Sequence, residues 1–156
     1  MSLLRFHAAQ ASPTAGYDTA LAEIRAGRKT SHWIWYIFPQ LASLGRSSIA
    51  RAYGIRDLAE ACDYLRDPLL RARYEEIAGA VSDQLARGVA LEDLMASRID
   101  ALKLVSSLTL FHAAAESLAG EDPTFRSFAK HCDSSLGQTS AQGCPPCLHT
   151  LARIIK

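Results

Sequence analysis

The chain has 156 residues, 49% of them hydrophobic and 21% charged, with a formal net charge of +1. Those values suit one globular domain with a core of its own, and the near-zero charge excludes a strong general pull toward nucleic acid or anionic membrane. No apolar run reaches membrane-spanning length.

The start, Met1-Ser2-Leu3-Leu4-Arg5-Phe6-His7, lacks the apolar middle of a signal peptide. The expected location is therefore the cytoplasm, where Cys62, Cys132, Cys144 and Cys147 stay reduced. Leu3 to Gln10 reads as a short helix, broken by Ser12-Pro13-Thr14-Ala15-Gly16. Tyr17, Ala20, Leu21 and Ile24 recur at helical spacing, and Gly27 stands where a left-handed C-terminal stop belongs. Both tryptophans follow, inside Gly27–Gly45. Pro39 disfavours helix at Phe38, so the Trp block reads as a short helix broken at Phe38-Pro39. Gly45-Arg46-Ser47-Ser48 opens a brief helix ending near Gly54.

Asp57 has the position of an N-cap for a helix burying Leu58, Ala61, Cys62 and Leu65. Asp67-Pro68 ends that helix and starts a long one, with the stripe Leu70, Tyr74, Ile77, Ala78, Val81 and Leu85 and a stop at Gly88. A turn or two follows at Leu91–Met95. Asp100 is expected to cap the most apolar helix, with Leu102, Leu104, Val105, Leu108, Leu110 and Phe111 nearly all round it. Such a helix belongs at the centre of a bundle. Gly120 ends it, and Asp122-Pro123 starts a helix to about Cys132. Ser134–Gly143 is small and polar and reads as a loop, and Pro145-Pro146 leads into a last helix, Leu148–Ile155. The expectation is an all-α, compact single domain over 1–156, with about seven helices in non-parallel packing.

The segments Ala22-Glu23-Ile24-Arg25-Ala26-Gly27-Arg28-Lys29, Ser31-His32-Trp33-Ile34-Trp35, Phe38-Pro39-Gln40-Leu41 and Leu44-Gly45-Arg46-Ser47 form a specific run. With Tyr53-Gly54-Ile55, Asp100-Ala101-Leu102-Lys103-Leu104 and Ser106-Ser107-Leu108-Thr109-Leu110-Phe111, they resemble a family of all-helical bacterial proteins of unknown function. Some members of that family are labelled "calpastatin". The resemblance covers roughly residues 3 to 128 and implies a fold but no reaction. Val105 stands where such proteins lead one to expect arginine. The Cys/Pro-containing segment from about 133 diverges from the glycine- and aspartate-containing ending also expected.

Three constellations carry chemistry on paper. In the first, Arg28, Lys29 and Arg46 supply charge, Trp33, Trp35 and Tyr36 flat faces, His32 and Gln40 directional hydrogen bonds, and Ser47 or Ser48 a helix start. With Lys103 from the apolar helix, they suit a small anionic, ring-bearing, nucleotide-like metabolite. The competing reading makes the tryptophans core and Arg28-Lys29 a solvated helix end. His32 is the candidate acid or base, with Asp100 as a partner in space.

In the second, Asp100, Lys103 and Ser107 share a helical face, either as an anion anchor or as a plain first-turn ion pair. Thr109, His112 and Glu116 read as a surface seam. In the third, Cys144-Pro145-Pro146-Cys147 has redox spacing, and His131, Cys132 and His149 are candidate metal ligands with it. A plain ordered tail is the favoured reading there, and no metal or cofactor is assigned.

The glycine motifs of nucleotide sites and the common hydrolase signatures are missing. The leading expectation is a ligand-binding helical protein with neither nucleic acid nor membrane as partner. The alternative is a non-enzymatic interaction or homo-oligomerising domain with the Trp block as core.

Overall fold

Residues 3–154 are described in the computed structural model. Among them are ten α-helices, more than the seven expected, because two single turns and a divided N-terminal region count separately. They are α1 (Leu4–Gln10), α2 (Tyr17–Arg25), α3 (Ile34–Ile37), α4 (Ser48–Ala52), α5 (Leu58–Arg66), α6 (Pro68–Ala86), α7 (Leu91–Leu94), α8 (Arg98–Leu118), α9 (Pro123–Ala141) and α10 (Leu148–Ile154). A 3-10 turn, Ala42–Leu44, precedes α4. The expected end of the last helix at Ile155 lies outside the described residues. No described helix is long and apolar enough to cross a membrane.

Local chemistry explains most boundaries. Asp57 accepts from Glu60 N and starts α5, and Asp67 accepts from Leu69 N and Leu70 N and starts α6 with Pro68 at its first turn. Gly27 and Gly88 follow α2 and α6 at φ 93° and 97°, the left-handed region that a side chain disfavours. The Trp block is a single helical turn that breaks at Phe38. Beyond it, Ala42 N donates to Ile55 O and Ile55 N to Gln40 O, at 2.8 and 2.9 Å, so one isolated bridge fastens the Pro39 loop.

Three expectations about the second half need correction. Asp100 is not the cap of α8: Ser97 is, accepting from Asp100 N at 3.1 Å, so the helix starts at Arg98. Leu102 is 43% exposed, leaving that helix one open side. The stretch from Ser134 is not a loop but helix as far as Ala141. Its small polar residues are an interhelical seam: Ser135 Oγ meets Ser82 Oγ at 2.7 Å, and Gln138 Nε2 donates to Ser82 O at 3.1 Å. Polar composition alone suggested solvent; the packing supplied partners instead.

The central helix is α8, against which α3, α5, α7, α9 and α10 pack. Rings connect the layers in a continuous chain. Phe6 meets Tyr64, Tyr64 meets Phe111, Phe111 meets Tyr74 and Tyr74 meets Phe38, with centroids 4.8–5.4 Å apart. Trp33 joins its end, 6.4 Å from Phe38. Tilted and edge-on contacts of this kind stabilise beyond the area they bury.

Candidate functional site

The segment after α2 is shaped by one carboxylate. Glu23, near the end of α2, accepts from Thr30 N (2.7 Å), Ser31 N (2.9 Å), Ser31 Oγ (2.5 Å) and Trp33 Nε1 (2.9 Å). Burial alone would raise its pKa, but these donors outweigh that and hold the carboxyl down to about 2. The loop is thereby pinned to the helix before it, and the Trp33 ring is sealed at 0% exposure.

That pinning turns Lys29 inward. Its Nζ lies 2.9 Å from Asp100 Oδ2, donates to Ser31 O at 2.6 Å and sits 5.1 Å from the Trp33 ring centroid. Its backbone N–H bonds Leu94 O. Lys103, one turn beyond Asp100, stands 3.9 Å from the other oxygen, Oδ1, and 5.4 Å over the Trp35 ring. Two lysine–tryptophan pairs thus share one carboxylate in the first turn of α8, where the helix dipole also favours negative charge. Lys29 takes the close contact. Lys103 is left with a longer one at 25% side-chain exposure.

Trp35, Gln40 and Lys103 meet at a recess floored by Ile34 and Phe38, of about 10 Å³. That volume holds about one water. The other nominated residues lie elsewhere. Arg28, His32 and Arg46 are exposed, and none of them makes a side-chain hydrogen bond or ion pair among the described residues. Ser47 spends its hydroxyl on capping α4, accepting from Ala50 N at 3.2 Å. Asp100, the partner considered for His32, is engaged by Lys29 instead. Ser107 is fully buried with its hydroxyl on Tyr74 Oη at 2.9 Å, so it does not act with Asp100 and Lys103.

Thr109 is a correction to the surface-seam reading. It is 2% exposed, donates to Val105 O at 2.7 Å and accepts from Cys147 N at 3.0 Å, which anchors the C-terminal segment to α8. His112 and Glu116 do pair on the outside, at 3.7 Å. All four cysteines are free thiols. His149 Nε2 is 3.0 Å from Ser43 Oγ. Among the described residues no group of three or more His, Cys, Asp or Glu is arranged to hold a metal ion.

Glu23 was the residue most easily missed. The one sequence signal for it is position: an acid in the last turn of a helix that a glycine ends, just before a Lys-Thr-Ser loop with free N–H donors.

A family model described as "Protein of unknown function (DUF1810)" matches residues 1–140. A crystal structure of the conserved hypothetical protein Rv1873 from Mycobacterium tuberculosis is 36% identical, with a TM-score of 0.81 over 99% of this chain and 96% of that one. Neither description mentions calpastatin. No curated protein matches the chain.

Proposed function

This chain belongs to the DUF1810 family, whose description supplies no activity, and we propose from its geometry that it binds a small anionic, ring-bearing metabolite at Trp35 and Lys103. The observation that carries the reading is the charge count: two ammonium groups, Lys29 and Lys103, lean on the single Asp100 carboxylate. The next acid, Glu23, is occupied by neutral donors. A partly buried cation with incomplete compensation favours an added anion. The half-buried Trp35 indole beneath it offers a stacking face.

The recess is too small to enclose a ligand, so the ring lies across its mouth, with the acid group at Lys103 and Gln40 at the edge. Lys29, Trp33 and Ser47 act by holding the segment in shape, and exposed Arg28, His32 and Arg46 take no part in lining the recess. The chemistry supported is recognition; no proton relay to His32 is assigned.

Thermal shift and calorimetric titration of the full chain test this, with adenosine monophosphate, adenosine and inorganic phosphate as probes. A probe at 100 times its Kd adds about 2.7 kcal/mol, which at this chain length raises Tm by about 5–10 °C. Lys103→Met is expected to abolish the shift and Trp35→Leu to weaken it for the ring-bearing probe alone. Flat curves with all three probes would remove the reading.

A second reading, a self-associating or protein-interaction domain, is favoured by Ile99 and Leu102, which are 68% and 43% exposed one turn apart on α8. Sedimentation at rising concentration distinguishes it: association that Leu102→Asp reverses supports it, and a monomer throughout counts against self-association.

A further inference from the structure

One wall of the Trp35–Lys103 recess comes from a segment only lightly attached to the rest of the fold. Residues 42–52, the 3-10 turn and α4, leave and rejoin the body at a single bridge, where Ala42 N donates to Ile55 O at 2.8 Å and Ile55 N to Gln40 O at 2.9 Å. The two ends lie side by side and the residues between loop outward, in the manner of a compact Ω-loop. Among the described residues, every backbone hydrogen bond of 43–52 stays within 41–54. Beyond the base bridge, the segment makes one hydrogen bond to another part of the described fold, between Ser43 Oγ and His149 Nε2 at 3.0 Å, in an exposed position. Leu44 rests half-buried on the edge of the core. From Tyr53 the chain is held firmly again: its ring lies 5.1 Å from that of Tyr36, and Arg5 donates to Gly54 O at 3.0 Å.

Inside, the same segment is tightly knit. α4 packs chiefly on the adjoining 3-10 turn. Ser47 caps α4, and Arg51 Nε reaches back to Gly45 O at 3.4 Å. Gly45 allows so close an approach that an added Cβ would lie 3.0 Å from the Ala50 Cβ. A unit packed within itself and weakly tied outside opens as one body at far lower cost than the whole fold.

Ala50 is the one buried residue of α4, and it is the residue that α4 contributes to the recess. With Ala50 seated, the space beside the Trp35 indole is about 10 Å³. A ring lying across the mouth therefore reaches the full indole face only when Ala50 withdraws. We propose that residues 42–52 form a hinged lid on the Trp35–Lys103 site, turning about the bridge at Ala42 and Ile55 to admit a ring-bearing anion and settling back over it. The occupant rests on the ligand reading above; the hinge rests on the fold alone.

Native-state hydrogen exchange followed residue by residue by NMR, on the full chain with and without saturating adenosine monophosphate, is the test. In the free protein the amides of Gly45, Ala50 and Arg51 should share one protection factor, at least about 100-fold below that of amides in the middle of α8. Adenosine monophosphate should slow all three at least about tenfold. A general gain in stability would not do this, because these amides exchange through local opening. Ser43→Ala removes the tie to His149 and should speed lid exchange about 3-fold, with α8 exchange and the thermal midpoint unchanged. Lid amides as protected as those of α8, or three unrelated protection factors, would overturn the hinge. Calorimetric binding of adenosine monophosphate with lid exchange unchanged would overturn the gating. Absence of that binding would remove the ligand reading and the gating role together, while exchange in the free protein still decides the hinge.

Discussion

The Glu23 clamp makes a measurable claim about stability and pH. Its carboxyl is held at about 2 against an ordinary 4.5, a gap worth about 3 kcal/mol at about 1.4 kcal/mol per pH unit. Partial exposure of the group reduces this to about 2 kcal/mol. The sign follows from a depressed folded pKa: the contribution is complete above the unfolded value and is lost as pH falls from about 5 toward 2. Glu23→Gln keeps the shape and one acceptor oxygen but removes the charge that all four donors address. At pH 7 it should cost about 2 kcal/mol, lowering Tm by about 4–8 °C for a chain of this size. It should also flatten the stability profile between pH 5 and 2 by the same amount. Urea and thermal unfolding, followed by far-ultraviolet circular dichroism at pH 7, 5, 4 and 3, measure both. A Tm within 1 °C of wild type, or parallel pH profiles for the two proteins, would refute the clamp.

Other expectations concern the scaffold. Gln84 is 7% exposed and its Nε2 donates to Ile24 O and Arg25 O, closing the end of α2. Gln84→Leu takes the amide donor from Arg25 O, while Ile24 O keeps Gly27 N at 3.0 Å, and should cost about 1–3 kcal/mol in urea unfolding; a change under about 0.5 kcal/mol would show that water replaces the amide. At Gly54 an added Cβ would lie 2.4 Å from the Ala42 Cα. Backbone there must move, so Gly54→Ala should lower stability by about 1–3 kcal/mol, and an unchanged denaturation midpoint would contradict the tight crossing. For Cys147, burial opposes ionisation, but the Ser106 and Thr150 hydroxyls and the Thr150 and His149 N–H groups outweigh it and lower the thiol pKa. Thr150 Oγ1 makes no well-formed hydrogen bond, so the backbone groups at the start of α10 are the firmer cause. Burial pushes Cys132 and Cys62 the other way. With a disulfide reagent at pH 7, Cys147 should be the fast thiol and Cys147→Ser should remove that phase; an unaltered fast phase would assign it elsewhere.

The sequence alone determined the all-helical class, the cap at Asp57, the helix start at Asp67-Pro68, the break at Phe38-Pro39 and the central place of the Asp100 helix. Each rests on neighbours within a few residues, where side-chain caps, proline geometry and apolar period act directly. It also set Lys103 of α8 on one helical face with Asp100. Tertiary structure decided the rest. Ser134–Ala141 is helical because Ser82 of α6 supplies a partner for its small polar side chains. Lys29 points inward because Glu23 pins the loop and Asp100, far along the chain, receives the charge. Arg28 and Arg46 have the same charge and stay in solvent because no buried acid faces them. Which cation is drawn into the interior depends on an opposite charge from another helix, and that pairing is a property of how helices pack rather than of any local pattern.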